Sequence, residues 1–125
     1  MSTLEAVMTT QDVANRMNEL FKLNNWTQVQ VELFSDDCES IEPPHSQGLQ
    51  SVKGMDAIKK KGEMFQESME EMHGGWCSEP LVGGNFISFA MGIDATMKGM
   101  GRMKMEEICV YEVKDGKIIK EQFFF

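Results

Sequence analysis

Asp115-Gly116 constrains this chain more than any other pair of residues. Both central positions of a type I′ turn need positive φ, and Asp-Gly supplies it. The residues on either side, Arg102 to Lys114 and Lys117 to Phe125, read as strands, so an antiparallel hairpin closes the chain. Upstream, Asn85 to Met97 is a long strand with Phe86, Ile87, Phe89, Met91 and Ile93, and Gly99-Met100-Gly101 turns the chain after it. Trp76 to Val82 is a further strand, joined by Gly83-Gly84. Everything after Gly75 therefore reads as an antiparallel meander.

The first half is helical. Thr9 and Thr10 are candidate N-caps with Asp12 in the first turn. Val13, Met17, Leu20 and Phe21 follow at helical spacing, to about Asn24. Trp26, Val29, Leu33 and Phe34 predict a short second helix that Ser35-Asp36-Asp37 ends. Cys38 to Glu42 reads as a short strand stopped by Pro43-Pro44, and Pro43 to Lys53 as a loop. Gly54 opens the third helix. Met55, Ile58, Gly62, Phe65, Met69 and Met72 step along one face, with Lys59, Lys60, Glu63, Glu67 and Glu70 on the other, up to Gly74-Gly75. Three helices followed by a mostly antiparallel sheet make an α+β arrangement. At 125 residues, it is a single domain spanning 1–125.

Composition excludes several functions. Twelve basic against twenty acidic residues give a net charge of −8, which repels phosphate, so neither nucleic acid nor an anionic membrane is an expected partner. The three cysteines, Cys38, Cys77 and Cys109, are too scattered for a disulfide framework or a zinc site. His45 and His73 have no ligand partner at metal spacing, and there is no Gly-rich phosphate loop and no Gly-x-Ser-x-Gly elbow. No metal and no cofactor is expected. Met1 to Met8 has no basic region of the signal-peptide kind, and no apolar run is long enough to span a bilayer. A cytoplasmic protein with reduced thiols is the expectation.

Three carboxylates stand out. Along Met103–Val113 one face carries Met103, Met105, Glu107, Cys109, Tyr111 and Val113, apolar except for Glu107. A carboxylate on such a stripe is costly unless it is paired, protonated or open to a cavity. Glu107 therefore either lines a pocket with Cys109 and Tyr111 or escapes at a strand end or bulge. Glu42 ends a short strand before Pro43. It is either a general base at a cavity mouth or a solvated acid before a turn. Asp94 shares a face with Phe86, Ser88, Ala90 and Gly92, which are mostly small, so it either joins the pocket or faces water near a strand end. The twelve methionines read first as core filler.

Three strings resemble the SnoaL-like branch of the nuclear-transport-factor-2-like superfamily. They are Glu32-Leu33-Phe34-Ser35-Asp36-Asp37-Cys38, Gly54-Met55-Asp56-Ala57-Ile58, and Val110 through Ile118 across the last hairpin. The resemblance implies a cone-shaped barrel, in which a curved sheet wraps a long helix around a deep pocket, and frequent dimerisation through the sheet. In the ketosteroid isomerases of that superfamily the general base is a carboxylate followed by Pro, and Glu42-Pro43 falls at that place. The position of their oxyanion tyrosine is matched by Met17, which cannot donate a hydrogen bond, and that of their protonated aspartate by Cys109, one same-face step from Glu107. Ketosteroid isomerisation itself is thus not implied.

The expected function is a pocket for a small hydrophobic molecule, lined by Glu42, Glu107, Cys109, Tyr111, Asp94 and Met17. It serves either a lyase or isomerase acting by acid/base chemistry on a small carbonyl compound, or a non-catalytic binding or dimerisation module. A homodimer is expected, because Asn85–Met97 is apolar on both faces and Phe123-Phe124-Phe125 ends the chain.

Overall fold

Helix α1 (Thr10–Lys22) begins at a reciprocal capping box. The Thr9 hydroxyl accepts the Asp12 N–H at 3.1 Å, and the Asp12 carboxylate accepts the Thr9 N–H at 3.0 Å. These details come from a computed structural model, which describes residues 7–46 and 48–125. The stretch Met1–Ala6, on which the signal-peptide reading largely rests, lies outside the described residues.

Val13, Ala14, Met17, Leu20 and Phe21 form the buried face of α1. Helix α2 (Trp26–Leu33) folds back on it. The Arg16 guanidinium grips Glu32 with two bonds of 2.7 and 2.6 Å, and the ring of Phe21 stacks on Trp26 and meets Phe89 edge-on at 4.9 Å.

The seven strands are β1 (Phe34–Ile41), β2 (Val52–Lys53), β3 (Met69–Cys77), β4 (Leu81–Gly83), β5 (Phe86–Met97), β6 (Gly101–Lys114) and β7 (Lys117–Phe124). They form one sheet in the order β2-β1-β7-β6-β5-β3, with β4 also on β5. Only β1 and β7 run parallel. Helix α3 (Met55–Glu67) touches β1 and β2 at one edge of the sheet and β3 at the other, while α1 packs on β4, β5 and β6. A helix that reaches both edges of a curved sheet closes it into a cone. Phe89, Ile87, Tyr111, Val113 and Ile118 fill the inside.

The final hairpin matches the sequence reading: Asp115 and Gly116 have φ of 51° and 76°. Four boundaries differ from it. Strand β1 starts directly at Phe34, because Phe34 pairs with Ile118 and a register shift before Glu39 lets Asp36 and Asp37 point to water within the strand. Val52-Lys53 pairs with Ser40 and Glu39 rather than lying in a loop.

Helix α3 stops at Glu67, well before Met72. Met69, Met72 and Gly75 of β3 pair with Met97, Ala95 and Ile93 of β5, and Met72 stays exposed at this edge of the sheet. Two register shifts put every third residue of the strand in line, which is the spacing that reads as a helix in the sequence. Strand β3 then ends at Cys77, and Leu81–Gly83 forms the separate β4.

Among the described residues no helix is long and apolar enough to cross a membrane. Thr9→Ala removes one half of the capping box. It should lower unfolding free energy by about 1 kcal/mol in urea titrations, with the slope unchanged.

Candidate active site inside the cone

Strands β5 and β6 pair without a break in register, so Phe89 faces Cys109, Ile87 faces Tyr111 and Met91 faces Glu107 on the inner surface. Strand β7 places Glu121 opposite Tyr111 and Phe123 opposite Cys109. On the far side of β7, Ser40 is the partner of Glu121. Glu42 follows two residues after Ser40, so alternation returns it to the inner face. Above this surface the Nζ of Lys61, from α3, lies 2.7 Å from Glu42 Oε2 and 5.4 Å from the centre of the Phe123 ring. The side chains of Lys61 and Glu42 are only 9% and 7% exposed, so the pair is withdrawn from water. A buried cation of this kind is tolerable only with such a partner.

Two further acids share the space. Glu121 is buried and accepts the Ser40 hydroxyl at 2.6 Å. Burial pushes its carboxyl up to about 7. Ser40 and the Lys61 charge oppose that rise, and Glu42 and Glu107 add to it. Glu107 accepts the Cys109 thiol at 3.3 Å, and its carboxyl is also raised, first by burial and then by the nearby Glu42. The Cys109 thiol and the Tyr111 phenol are both pushed up, mainly by burial, and each lies near Glu107 and Glu121. One ammonium thus serves three carboxyls, two of which are drawn toward their protonated forms. The group contains hydrogen-bond donors, acceptors and acids of unlike proton affinity within an otherwise apolar cone.

Glu42, Glu107, Cys109 and Tyr111 therefore come together. Met17 is fully buried on α1, within the apolar core. Asp94 does not join the site. It lies opposite Lys104 on the outer sheet face, where Arg102 donates to it at 3.0 and 2.8 Å and holds its carboxyl below the ordinary range. Two surface cavities of about 320 and 270 Å³ lie outside the cone, one beside the Asp115-Gly116 turn and the other on the β4–β5 hairpin. None of the three interior acids lines either cavity. Among the described residues no group of three or more His, Cys, Asp or Glu is placed to hold a metal ion.

Sequence reasoning missed Lys61, Glu121 and Ser40. Lys61 sits three residues after Ile58 on the helix, so the core stripe runs through it and Gly62 faces outward. Its position at i+3 was the available signal. Glu121 is concealed by a bulge. Counting straight from the turn sets Lys120 opposite Tyr111, but the register shift between Glu112 and Val113 brings Glu121 inward instead.

The model of the SnoaL-like domain matches residues 8–125. The chain belongs to the SnoaL-like domain family. Among solved structures it is similar to a candidate SnoaL-like polyketide cyclase from Mesorhizobium loti, at 31% identity over 94% of this chain and 100% of that one, with a TM-score of 0.88. An NTF2-like protein from Burkholderia pseudomallei shares the fold at 16% identity, with 94% and 92% of the chains covered and a TM-score of 0.73. IdmH from Streptomyces antibioticus, a candidate polyketide cyclase, does so at 13% identity, 94% and 91% coverage and a TM-score of 0.67. No curated protein matches the chain.

Glu121 has a signature in stability. Its carboxyl titrates near 4.5 when unfolded and near 7 in the fold, so the stabilising preference for the proton is complete below pH 4.5 and is lost as pH rises through 7. Wild type should therefore lose up to about 3 kcal/mol between pH 4.5 and 8 from this group. Glu121→Gln should flatten that slope and exceed wild type in Tm at pH 8. An unchanged slope in the variant would show that Glu121 is not the titrating group.

Proposed function

We propose that this SnoaL-like domain binds a small, mostly apolar carbonyl compound inside the cone and moves a proton on it, as a lyase or isomerase. Glu42 takes the α-proton, and a protonated Glu107 donates to the carbonyl oxygen. The observation that carries this reading is the buried group of Glu42, Lys61, Glu107 and Glu121 on the inner face of an apolar cone. Keeping such a group away from water is costly, and proton transfer gives it a use beyond holding α3 against the sheet. The likeness to a candidate polyketide cyclase at 31% identity supports the same class of chemistry.

A non-catalytic binding protein is the second reading, and one observation favours it. Glu42 is already held by Lys61 at 2.7 Å, so a substrate proton reaches that oxygen only by displacing the ammonium. β-Tetralone, an apolar ketone with acidic α-protons, separates the two. Wild type in D₂O should accelerate deuterium incorporation at its α-carbon, read by NMR. Glu42→Gln should lower that rate by about 10²–10⁴-fold while calorimetric affinity stays the same. Binding without exchange in wild type would establish the non-catalytic reading.

The partner proposed for the convex face is a second copy of the chain. Trp76, Phe86, Ile108 and Phe124 are each about half exposed there, and Ile108 and Phe124 are cross-strand neighbours. The three free thiols, of which Cys38 and Cys109 are buried, suit a reducing, cytoplasmic setting. Sedimentation at micromolar concentration should give a dimer for wild type and a monomer for Ile108→Glu. A wild-type monomer would remove the homodimer.

A further inference from the structure

Lys61 follows Lys59 and Lys60, and both of those are exposed. Of three consecutive lysines only the third turns into the cone. There its Nζ rests against the face of Phe123 and touches one carboxylate oxygen, that of Glu42, at 2.7 Å. A primary amine in an apolar enclosure, with a proton acceptor in direct contact, has what is needed to attack a carbonyl carbon.

That route conserves charge within the enclosure. An iminium takes the place of the Lys61 ammonium as the single cation beside Glu42, so no uncompensated charge is added among the buried groups. Glu107, drawn toward its protonated form by burial, is available there as a proton donor.

We propose that Lys61 is a catalytic nucleophile that forms a Schiff base with an apolar aldehyde or ketone inside the cone, with Glu42 as its proton partner. This rests on the carbonyl-compound reading above and specifies its intermediate. In the first step a proton passes from the Lys61 ammonium to Glu42. The freed nitrogen lone pair then forms the C–N bond, and the carbonyl π pair moves to oxygen, which takes a proton from Glu107. The new ammonium returns a proton to Glu107 and leaves a neutral carbinolamine. Glu42 next protonates the hydroxyl, the C–O bond breaks, and water departs as the nitrogen lone pair closes the C=N bond. Ketone and ammonium have become iminium and water, with Glu42 again a carboxylate. Glu42 can then take the α-proton, so that the C–H pair forms C=C and the C=N π pair returns to nitrogen as an enamine.

The test uses wild-type protein, β-tetralone and cyanoborohydride, which reduces an iminium to a stable secondary amine. Peptide mapping by mass spectrometry should find the adduct on Lys61, exceeding that on Lys59 and Lys60 by about a hundredfold, the lower end of what a positioned proton-transfer partner contributes. The two exposed neighbours serve as internal controls for ordinary lysine reactivity. Lys61→Arg keeps a cation beside Glu42 but cannot form the adduct, so it should lose both labelling and deuterium exchange while its circular dichroism is unchanged.

Equal labelling of all three lysines, with Glu42-dependent exchange intact, would overturn the Schiff base and leave the proton-transfer reading standing. Exchange retained in Lys61→Arg would do the same. Binding of β-tetralone with neither adduct nor exchange would overturn both. Should Lys61→Arg fail to fold, the wild-type labelling pattern decides the matter by itself.

Discussion

The interior of this cone is organised around the ammonium of Lys61, the buried basic side chain among the described residues. Removing that charge from water is costly, and the cost fixes its surroundings. Glu42 must lie within contact, which sets the direction in which the chain leaves β1. Phe123 must present its ring, which draws the end of β7 under α3. Helix α3, strand β1 and strand β7 are thereby tied at one point by groups that have no favourable alternative once buried. The remaining acids respond to the same charge. Glu107 and Glu121 compete for an ammonium that Glu42 already holds, so burial leaves them drawn toward their protonated forms.

The second constraint is curvature. A regular sheet of this length would hold its inner residues on a flatter surface, with α3 unable to meet both edges. Register shifts occur in β1, twice in β3, and between β6 and β7. Each bends its strand and increases the local twist. The same irregularities decide which side chains face inward. The shift near Glu112 brings Glu121 into the cone, and those in β3 line up Met69, Met72 and Gly75 opposite Met97, Ala95 and Ile93. Curvature and site composition are thus two results of the same bulges.

This explains how much was legible beforehand. Elements governed by local chemistry could be read directly: a threonine N-cap at Thr9 or Thr10, the φ > 0 turn at Asp115-Gly116, and the alternation that puts Glu107, Cys109 and Tyr111 on one face of β6. Features set by a bulge could not, because a bulge is a relation between two strands and leaves no distinct mark on either sequence. The run Phe65, Met69, Met72 has helical spacing whether the backbone is helical or a twice-bulged strand. Pairing with β5 settles the matter, and no propensity within the segment does. Asp94 shows the converse case. Its small neighbours suggested open space, whereas those residues lie on the outer face, and Trp76 packs over Gly92 so closely that an added Cβ would clash with its indole ring.

The placement of Lys61 also bears on how one fold supports different chemistries. At the position on helix one where the resembling isomerases carry an oxyanion tyrosine, this chain has Met17, fully buried and packed as core. The α1 side of the cone is apolar, and its polar groups have gathered on the opposite side, between α3, β1 and β7. The inside of the cone is therefore hydrocarbon along α1 and a cation with three carboxyls beneath α3. For the carbonyl compound proposed above, that polarity would set the apolar end toward α1 and the carbonyl toward Lys61, beside an amine and carboxyls where the resembling isomerases have a phenol.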